Sequence, residues 1–406
     1  DSIYRLTDMG RPQTALTLTE AVDMLVAILG RDHPDTLTAR NNLARAHQEA
    51  GNVSTAIDMF EDVLADRTRV LGPDHPDTLT ARSYLADAHR QAGHVSTAIN
   101  MHQALLADHT RVLGPDHSDT LGTRHNLATA HHAAGHLSTA INMYKDVLAD
   151  RTRVLGPDHP DTLNTRGNLA LALQESGNLQ KAIAMHEALL TDRTRVLGPD
   201  HPDILIARNN LANAHQQAGN VSTAIAMYEA LLTDMTRILG PDHPDTLGTR
   251  NNLANAHQDA GHLSTAIAMY EALLTDMTRI LGPDHPDTLG TRNNLANAHQ
   301  DAGHLSTAIA MHQALLTDMT RVLGPDHPDT LGTRNNLALA HQDAGHLSTA
   351  IAMYEDVLAD MTRVLGPDHP HTLTVRSNLA AARKKAQQAS SPQADGKAES
   401  APPPEN

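Results

Sequence analysis

Residues 241–282 read PDHPDTLGTRNNLANAHQDAGHLSTAIAMYEALLTDMTRILG, and residues 283–324 repeat this stretch almost unchanged. In 42 positions there are three substitutions, Tyr270 to His312, Glu271 to Gln313 and Ile280 to Val322. An Asp-His-Pro signal recurs every 42 residues from His33 to His369, with Asp-His-Ser at His117. A fixed period of this length predicts a stacked repeat array.

Each repeat is expected to contain two helices separated by a glycine. In residues 329–345 one helical face carries Leu331, Arg334, Leu337, Ala338 and His341, at spacings of three, four and seven. In residues 348–365 the matching stripe is Ala350, Ile351, Tyr354, Val357, Leu358 and either Val364 or Leu365. Neither helix can bury its stripe alone, so neighbouring repeats must stack. The pattern contains no strand signal.

The helix ends carry ordinary signals. Pro328 suits a first helical turn, because proline has no backbone N–H that would lack a partner there. The carboxylate of Asp329 is stabilised by the positive end of the helix dipole. Gly345 and the pair Gly366-Pro367 end the two helices. The recurring Ser-Thr-Ala-Ile is expected to supply the N-cap hydroxyl of the second helix.

The pattern Leu337-Ala338, Gly345, Ala350, Tyr354, Leu358 resembles the tetratricopeptide repeat. The 42-residue length, the linker Leu-Gly-Pro-Asp-His-Pro-Asp at 323–329 and the run Asn-Asn-Leu-Ala at 335–338 resemble its kinesin-light-chain-like subtype. The resemblance covers roughly residues 10–385. It implies an all-α solenoid, a right-handed superhelix of antiparallel helix pairs whose first helices line a concave groove that binds peptides. High Ala, Arg and Asp usage with few lysines suits a GC-rich bacterium.

The repeat divides the chain into four segments. Residues 1–30 are expected to be a partial N-terminal repeat in which Gly10, Ala15-Leu16 and Leu29-Gly30 align with a second helix. Residues 31–366 hold eight repeats, 367–386 form a C-terminal capping helix, and 387–406 are expected to be disordered. Because the sequence starts within a repeat and has no initiator methionine, we expect a further domain upstream.

Composition narrows the function classes. The 406 residues carry a net charge of -16, which disfavours nucleic acid as a partner. Cysteine is absent, and no run of eighteen apolar residues suits a membrane span. The phosphate loop GxxxxGK[ST], the zinc motif HExxH and the nucleophile elbow GxSxG are also absent. We therefore expect a cytoplasmic protein that is not an enzyme, with no catalytic residue, cofactor or metal site.

Histidine is unusually frequent, with 28 residues. One set lies in the linkers, where we expect the imidazole to contact backbone at the start of a first helix. A second set is expected to be half-buried and hydrogen-bonded across the repeat interface: His47, His89, His131, His215, His257, His299 and His341. Protonation of such rings opposes folding, so the array is expected to loosen below about pH 6. A metal buffer is the disfavoured alternative, because linker histidines a repeat apart cannot share one ion.

Arginine recurs seven residues before that histidine position. The set is Arg40, Arg82, Arg124, Arg166, Arg208, Arg250, Arg292, Arg334 and Arg376. The guanidinium is expected to pair with a carboxylate in a structural ladder while its stem is buried. The alternative is a basic stripe that contacts a ligand.

The groove is the expected functional surface. Its candidate residues on the first helices are Asn209, Asn213, Gln216, Asn251, Asn255, Gln258, Asp259, Asn293, Asn297, Gln300, Asp301, Asn335 and Gln342. Amide side chains donate and accept, so they can bind the backbone of a peptide without fixing its sequence. The asparagines resemble those of chaperone-binding clamps for terminal carboxylates, but Asn209, Asn251 and Asn293 replace the lysines that such clamps need.

These observations predict a non-catalytic protein–protein interaction module that binds a peptide or helical segment in the groove. The partner is expected to be a protein or peptide, with neither nucleic acid nor membrane involved. The alternative is a sensor or autoinhibitory arm of a larger nucleotide-binding signalling ATPase whose catalytic domain lies upstream.

Overall fold

The computed structural model describes residues 2–8, 12–199, 201–367 and 369–390, and all regular structure in these ranges is helical. The chain divides into two compact bodies, the N-terminal body Asp1–Ala214 and the C-terminal body His215–Asn406. From α4 onward, even-numbered helices are the first helices of repeats and odd-numbered helices are the second.

The helices are α1 (Ser2–Asp8), α2 (Pro12–Leu16), α3 (Thr19–Leu29), α4 (Pro34–Glu49), α5 (Val53–Leu71), α6 (Pro76–Gln91), α7 (Val95–Leu113), α8 (Ser118–Ala133), α9 (Leu137–Val154), α10 (Pro160–Glu175), α11 (Leu179–Leu197), α12 (Pro202–Gln217), α13 (Val221–Ile238), α14 (Pro244–Asp259), α15 (Leu263–Ile280), α16 (Pro286–Asp301), α17 (Leu305–Val322), α18 (Pro328–Asp343), α19 (Leu347–Val364) and α20 (Pro370–Ser390). The expected all-α tetratricopeptide-type solenoid of helix pairs is confirmed.

Each first helix begins at a linker histidine. His243 has extended backbone angles, and its Nδ1 accepts a hydrogen bond from the backbone N–H of Asp245 at 3.2 Å. Pro244 then occupies the first helical position, and the Asp245 carboxylate lies in the first turn. This cap satisfies one of the N–H groups that a helix start leaves unpaired. The expected role of the linker histidines at the helix start is confirmed.

The second helices begin differently from the expectation. α15 begins at Leu263, its N-cap residue is His262, and no side chain caps it. Ser264 and Thr265 therefore lie inside the first turn, so the assignment of the Ser-Thr pair as N-caps is wrong. The turns need glycine, because Gly261 and Gly282 adopt φ values of 75° and 93°.

The core lies between repeats. In the C-terminal body one cluster joins Ala254 of α14, Ala266 and Tyr270 of α15, and Leu295 and Ala298 of α16. In the N-terminal body the equivalent cluster contains Phe60 of α5 and Leu85 of α6. The expected stacking is therefore observed within each body. The alanines are fully buried, which lets the helix backbones approach closely.

The ends of the array differ in detail from a regular repeat. Residues 12–29 form two helices, α2 and α3, where later repeats have one continuous second helix. Of the two candidates for the end of the second stripe, Leu365 packs against the core, while Val364 is 37% exposed. α20 extends beyond Ala386 to Ser390. Gly10 and residues 391–406 of the expected tail lie outside the described residues.

Gly290→Ala should raise stability by about 0.5–1 kcal/mol, because Gly290 lies inside α16 and an added Cβ meets nothing within 4 Å. Gly303→Ala should instead destabilise by about 1 kcal/mol or more, since Gly303 has φ +76°. Urea unfolding of the two variants measures both changes. A destabilised Gly290→Ala protein would contradict the open space that surrounds this position in α16.

Candidate binding face of the first helices

Asparagine side chains connect neighbouring first helices of the C-terminal body. The Nδ2 group of one repeat donates to the Oδ1 atom of the repeat before it. The bonds are Asn294 to Asn251 at 3.2 Å, Asn336 to Asn293 at 3.1 Å and Asn378 to Asn335 at 3.1 Å. Asn251, Asn293 and Asn335 are half-buried. Three of the candidate groove residues thus form an amide ladder that runs from repeat to repeat.

A second ladder lies near the C-terminal ends of the first helices α12, α14, α16 and α18. Here the Nε2 group of a glutamine donates to the aspartate of the next repeat. The bonds are Gln216 to Asp259 at 2.6 Å, Gln258 to Asp301 at 2.6 Å and Gln300 to Asp343 at 2.7 Å. Each aspartate is exposed, so the ladder holds its carboxylate in place while leaving it accessible to solvent.

The remaining candidates have other surroundings. The hydroxyl of Tyr270 donates to Asn255 and lies 3.2 Å from Gln258. Gln342 is buried, and its Oε1 has no partner among the described residues. In the N-terminal body, Asn213 accepts from Gln174 at 2.8 Å. Asn209 and Asn297 are half-buried on α12 and α16.

Clefts open between successive first helices of the C-terminal body. A cleft of about 600 Å³ is bordered by α16, α18 and α20, and Gly290, Asn293, Gly332 and Asn335 line it together with Met319 and Met361. A cleft of about 330 Å³ lies between α14 and α16, with Gly248 and Asn251 in the corresponding places and Met277 on its floor. The sequence analysis missed the glycines and methionines. The sequence did contain a signal for these clefts: glycine recurs at a 42-residue interval inside a predicted helix. Because glycine weakens a helix, its presence there needs another explanation.

The recurring arginines form ion pairs within their own repeats. Arg250 Nη1 donates to Asp276 at 2.8 Å, and Arg279 contacts both Asp276 and the linker residue Asp242. The hydrogen bond from Arg250 holds the pKa of Asp276 below its usual value. The same pair recurs at Arg40, Arg82, Arg124, Arg166, Arg292 and Arg334. The expected structural ladder is confirmed at these positions, whereas Arg376 donates to the carbonyl of Pro367.

The second histidine set pairs inside the repeat. His257 Nδ1 lies 3.3 Å from Nδ1 of His262, the residue that precedes α15. His299 and His304 form the same pair at 3.1 Å. Half-burial is confirmed, but the expected hydrogen bond across the repeat interface is wrong, because the five-residue turn brings the two rings of one repeat together. Burial lowers the pKa of His299, and the neighbouring His304 adds to this effect.

The most deeply buried histidines lie elsewhere. His312 is fully buried at the register of Tyr270, and neither of its ring nitrogens has a partner among the described residues. Burial lowers the pKa of His312 to about 4. Along the chain this register is occupied by Phe60, His102, Tyr144, His186, Tyr228, Tyr270, His312 and Tyr354. The sequence comparison of these two repeats revealed the substitution of Tyr270 by His312, but it did not predict that the histidine ring would be buried.

Two family models, both described as tetratricopeptide repeat, match the chain. One matches residues 36–77, 78–119 and 120–161, and the other matches 148–191, 168–233, 204–276, 249–317 and 287–361. The chain belongs to the tetratricopeptide repeat family. The recognition of its kinesin-light-chain-like subtype is confirmed, whereas the bacterial origin stays a prediction.

Several solved structures are similar to this chain. A putative kinesin light chain from Podosopora anserina with nearly identical TPR-like repeats is 28% identical, over 50% of this chain and 97% of the other, with a TM-score of 0.45. A tetratricopeptide repeat protein from Parabacteroides merdae is 14% identical, over 75% and 98%, with a TM-score of 0.51. The apo form of RapI is 9% identical, over 95% and 97%, with a TM-score of 0.55. The last two show the fold alone.

No curated protein sequence matches this tetratricopeptide repeat chain significantly. Within residues 2–8, 12–199, 201–367 and 369–390, no helix has the length and apolar character that crossing a membrane requires. No group of three or more metal-ligating side chains is present in the same ranges.

His312→Tyr should stabilise the protein and weaken its dependence on pH. The folded state holds the pKa of His312 near 4, whereas an unfolded histidine titrates near 6.5. The unfolded state therefore binds the proton first, and stability is lost as pH falls from about 6.5 towards 4. The unfolding free energy of His312→Tyr should exceed that of wild type by about 1–2 kcal/mol more at pH 5 than at pH 7.5.

Urea unfolding of wild type and His312→Tyr at both pH values measures this difference. Ala310→Tyr is the matched control, because Ala310 is exposed on α17 and the substitution leaves the buried ring of His312 in place. An equal pH dependence in wild type and His312→Tyr would show that the buried ring does not titrate with folding.

Proposed function

We propose that this chain is a non-catalytic protein–protein interaction module that binds a peptide or helical segment along the clefts between its first helices. The tetratricopeptide solenoid is a protein-interaction fold. The observation that supports the binding site is the row of clefts, in which Gly248, Gly290 and Gly332 leave open space inside regular helices. Helix stability favours alanine at such positions, so room for a partner accounts for the glycines.

The polar chemistry of the face suits a peptide backbone. Asn251 and Asn293 each accept a bond at Oδ1, and no described residue accepts from their Nδ2 groups. Each asparagine is therefore held in one orientation with its N–H groups available to a carbonyl. Met277 and Met319 provide adaptable apolar floors for the side chains of the partner.

Charge restricts the partner further. Asp259, Asp301 and Asp343 are exposed along the same helices, and the whole chain carries a net charge of -16. Electrostatic complementarity therefore favours a neutral or basic segment and disfavours nucleic acid. A cytoplasmic location stays a prediction. The alternative, a sensor or autoinhibitory arm of a larger nucleotide-binding signalling ATPase, also stays a prediction, and no contact among the described residues favours it.

Gly290→Phe should block the clefts and weaken peptide binding at least about tenfold, equivalent to about 1.4 kcal/mol. An added Cβ at Gly290 meets nothing within 4 Å and the phenyl ring would enter the clefts that Gly290 lines, so the fold should survive. Peptides selected on wild type from a random displayed library serve as ligands, and fluorescence anisotropy gives their affinities.

Ala310→Phe is the matched control, because Ala310 is exposed on the second helix α17. It should bind the selected peptides as wild type does. If Gly290→Phe binds the peptides with wild-type affinity, or if Ala310→Phe loses as much affinity as Gly290→Phe, the clefts are not the binding site. Thermal unfolding confirms that both variants are folded.

A further inference from the structure

One position of the second helix contacts the first helix of the next repeat. Along the chain it is occupied by Arg67, His109, Arg151, Arg193, Met235, Met277, Met319 and Met361. Where this residue is Arg67, His109 or Arg151, its side chain hydrogen-bonds to the next repeat, although Nε of Arg67 and Nε of Arg151 have no partner among the described residues. Arg67 Nη1 donates to the carbonyl of Asp77 at 2.8 Å, and His109 lies 2.8 Å from the hydroxyl of Thr123. Arg151 Nη1 donates to the Asp161 carbonyl at 2.9 Å and to Thr165 at 2.8 Å.

Arg193 lacks this arrangement. Ala207 occupies the place that Thr165 has one repeat earlier, so the hydroxyl acceptor is missing. The guanidinium instead makes a single hydrogen bond, from Nη2 to Asn164 Oδ1 at 2.9 Å. Burial lowers the pKa of Arg193, and the charge of Asp203 opposes this, but no described carboxylate forms an ion pair with it. A half-buried cation is normally paired, so this one has unused capacity for an anion.

A cleft of about 340 Å³ surrounds Arg193 in the N-terminal body. It lies between α10, α11 and α12, and its lining includes Asn164, Asn168, Asn210 and the rings of His125 and His186. His186 is 1% exposed, and its Nε2 has no partner among the described residues. Burial lowers the pKa of His186 to about 4, and the nearby charge of Arg193 adds to the shift. The ring is thus neutral near pH 7 and can donate from Nε2.

We propose that this cleft is an oxoanion-binding site, in which Arg193 binds a phosphate or carboxylate group and His186 and the asparagine amides donate to its remaining oxygens. The guanidinium presents two parallel N–H groups, which match a pair of oxygens. No aspartate or glutamate is among the lining residues. The volume lies at the lower end of small-ligand sites, about 300–1,000 Å³. The methionines at this position in the later repeats carry no charge, so they cannot bind an anion as Arg193 would.

The site does not depend on the proposed peptide binding, because a free anion is sufficient to occupy it. The anion has two sources with the same chemistry, a small phosphorylated or carboxylated solute and a carboxylate on a protein segment. Separate titrations with inorganic phosphate, succinate, and one short peptide prepared with a free and with an amidated C-terminus distinguish them.

Isothermal titration of the whole chain at pH 7.5 tests the proposal. Wild type should bind at least one of the three probes saturably with one site per chain. Arg193→Met, which introduces the residue of the next repeat, should lose at least about tenfold in affinity. Arg67→Met, which removes an arginine from the same register outside the cleft, should retain wild-type binding.

A second variant and a second readout guard against effects on folding. His186→Tyr places there the residue found at Tyr144 and should weaken binding several-fold. The bound probe should raise the midpoint of thermal unfolding in wild type but not in Arg193→Met. Failure of phosphate, succinate and the free-carboxylate peptide to bind wild type would overturn the proposal, as would equal binding by Arg193→Met.

Discussion

The apolar face of each helix pair is completed by the first helix of the next repeat, and the rest of the structure depends on this constraint. Tyr270 of α15 is fully buried, and it packs in one cluster with Leu295 and Ala298 of α16. Small residues such as Ala254 and Ala266 let the helices approach closely enough for that contact. Stability is therefore shared between neighbours, as expected of a quasi-one-dimensional array.

The same constraint separates two kinds of polar interaction. Charged pairs such as Arg250 with Asp276 and Arg279 with Asp242 join residues of the same repeat near its linker. Neutral amide bonds such as Asn294 to Asn251 cross from one repeat to the next. A network of several charges is worth more than an isolated surface pair. Because the network keeps the guanidinium groups occupied within each repeat, the face between first helices presents mainly amides, carboxylates and open clefts.

Periodicity predicted the features that every repeat shares. The helix pairs, the buried Leu337 and Tyr354, the contact of His327 with backbone at a helix start and the pairing of Arg334 with a carboxylate all follow from one 42-residue pattern. Features that depend on one pair of neighbours were missed. Arg151 and Arg193 occupy equivalent positions in sequence, but Arg151 donates to Thr165 of the next repeat, whereas Arg193 faces Ala207 there and donates to Asn164 of its own repeat. The His257–His262 contact likewise depends on turn geometry that hydrophobic spacing does not specify.

Hydrogen exchange of Leu295→Ala, followed by mass spectrometry, tests the shared core most directly. Leu295 lies in α16 and packs against residues of the preceding repeat. Its truncation should cost about 2–5 kcal/mol, and exchange should accelerate in α14 and α15 as well as in α16. If faster exchange is confined to α16, each repeat holds its own core, and the account of a core shared between repeats is contradicted.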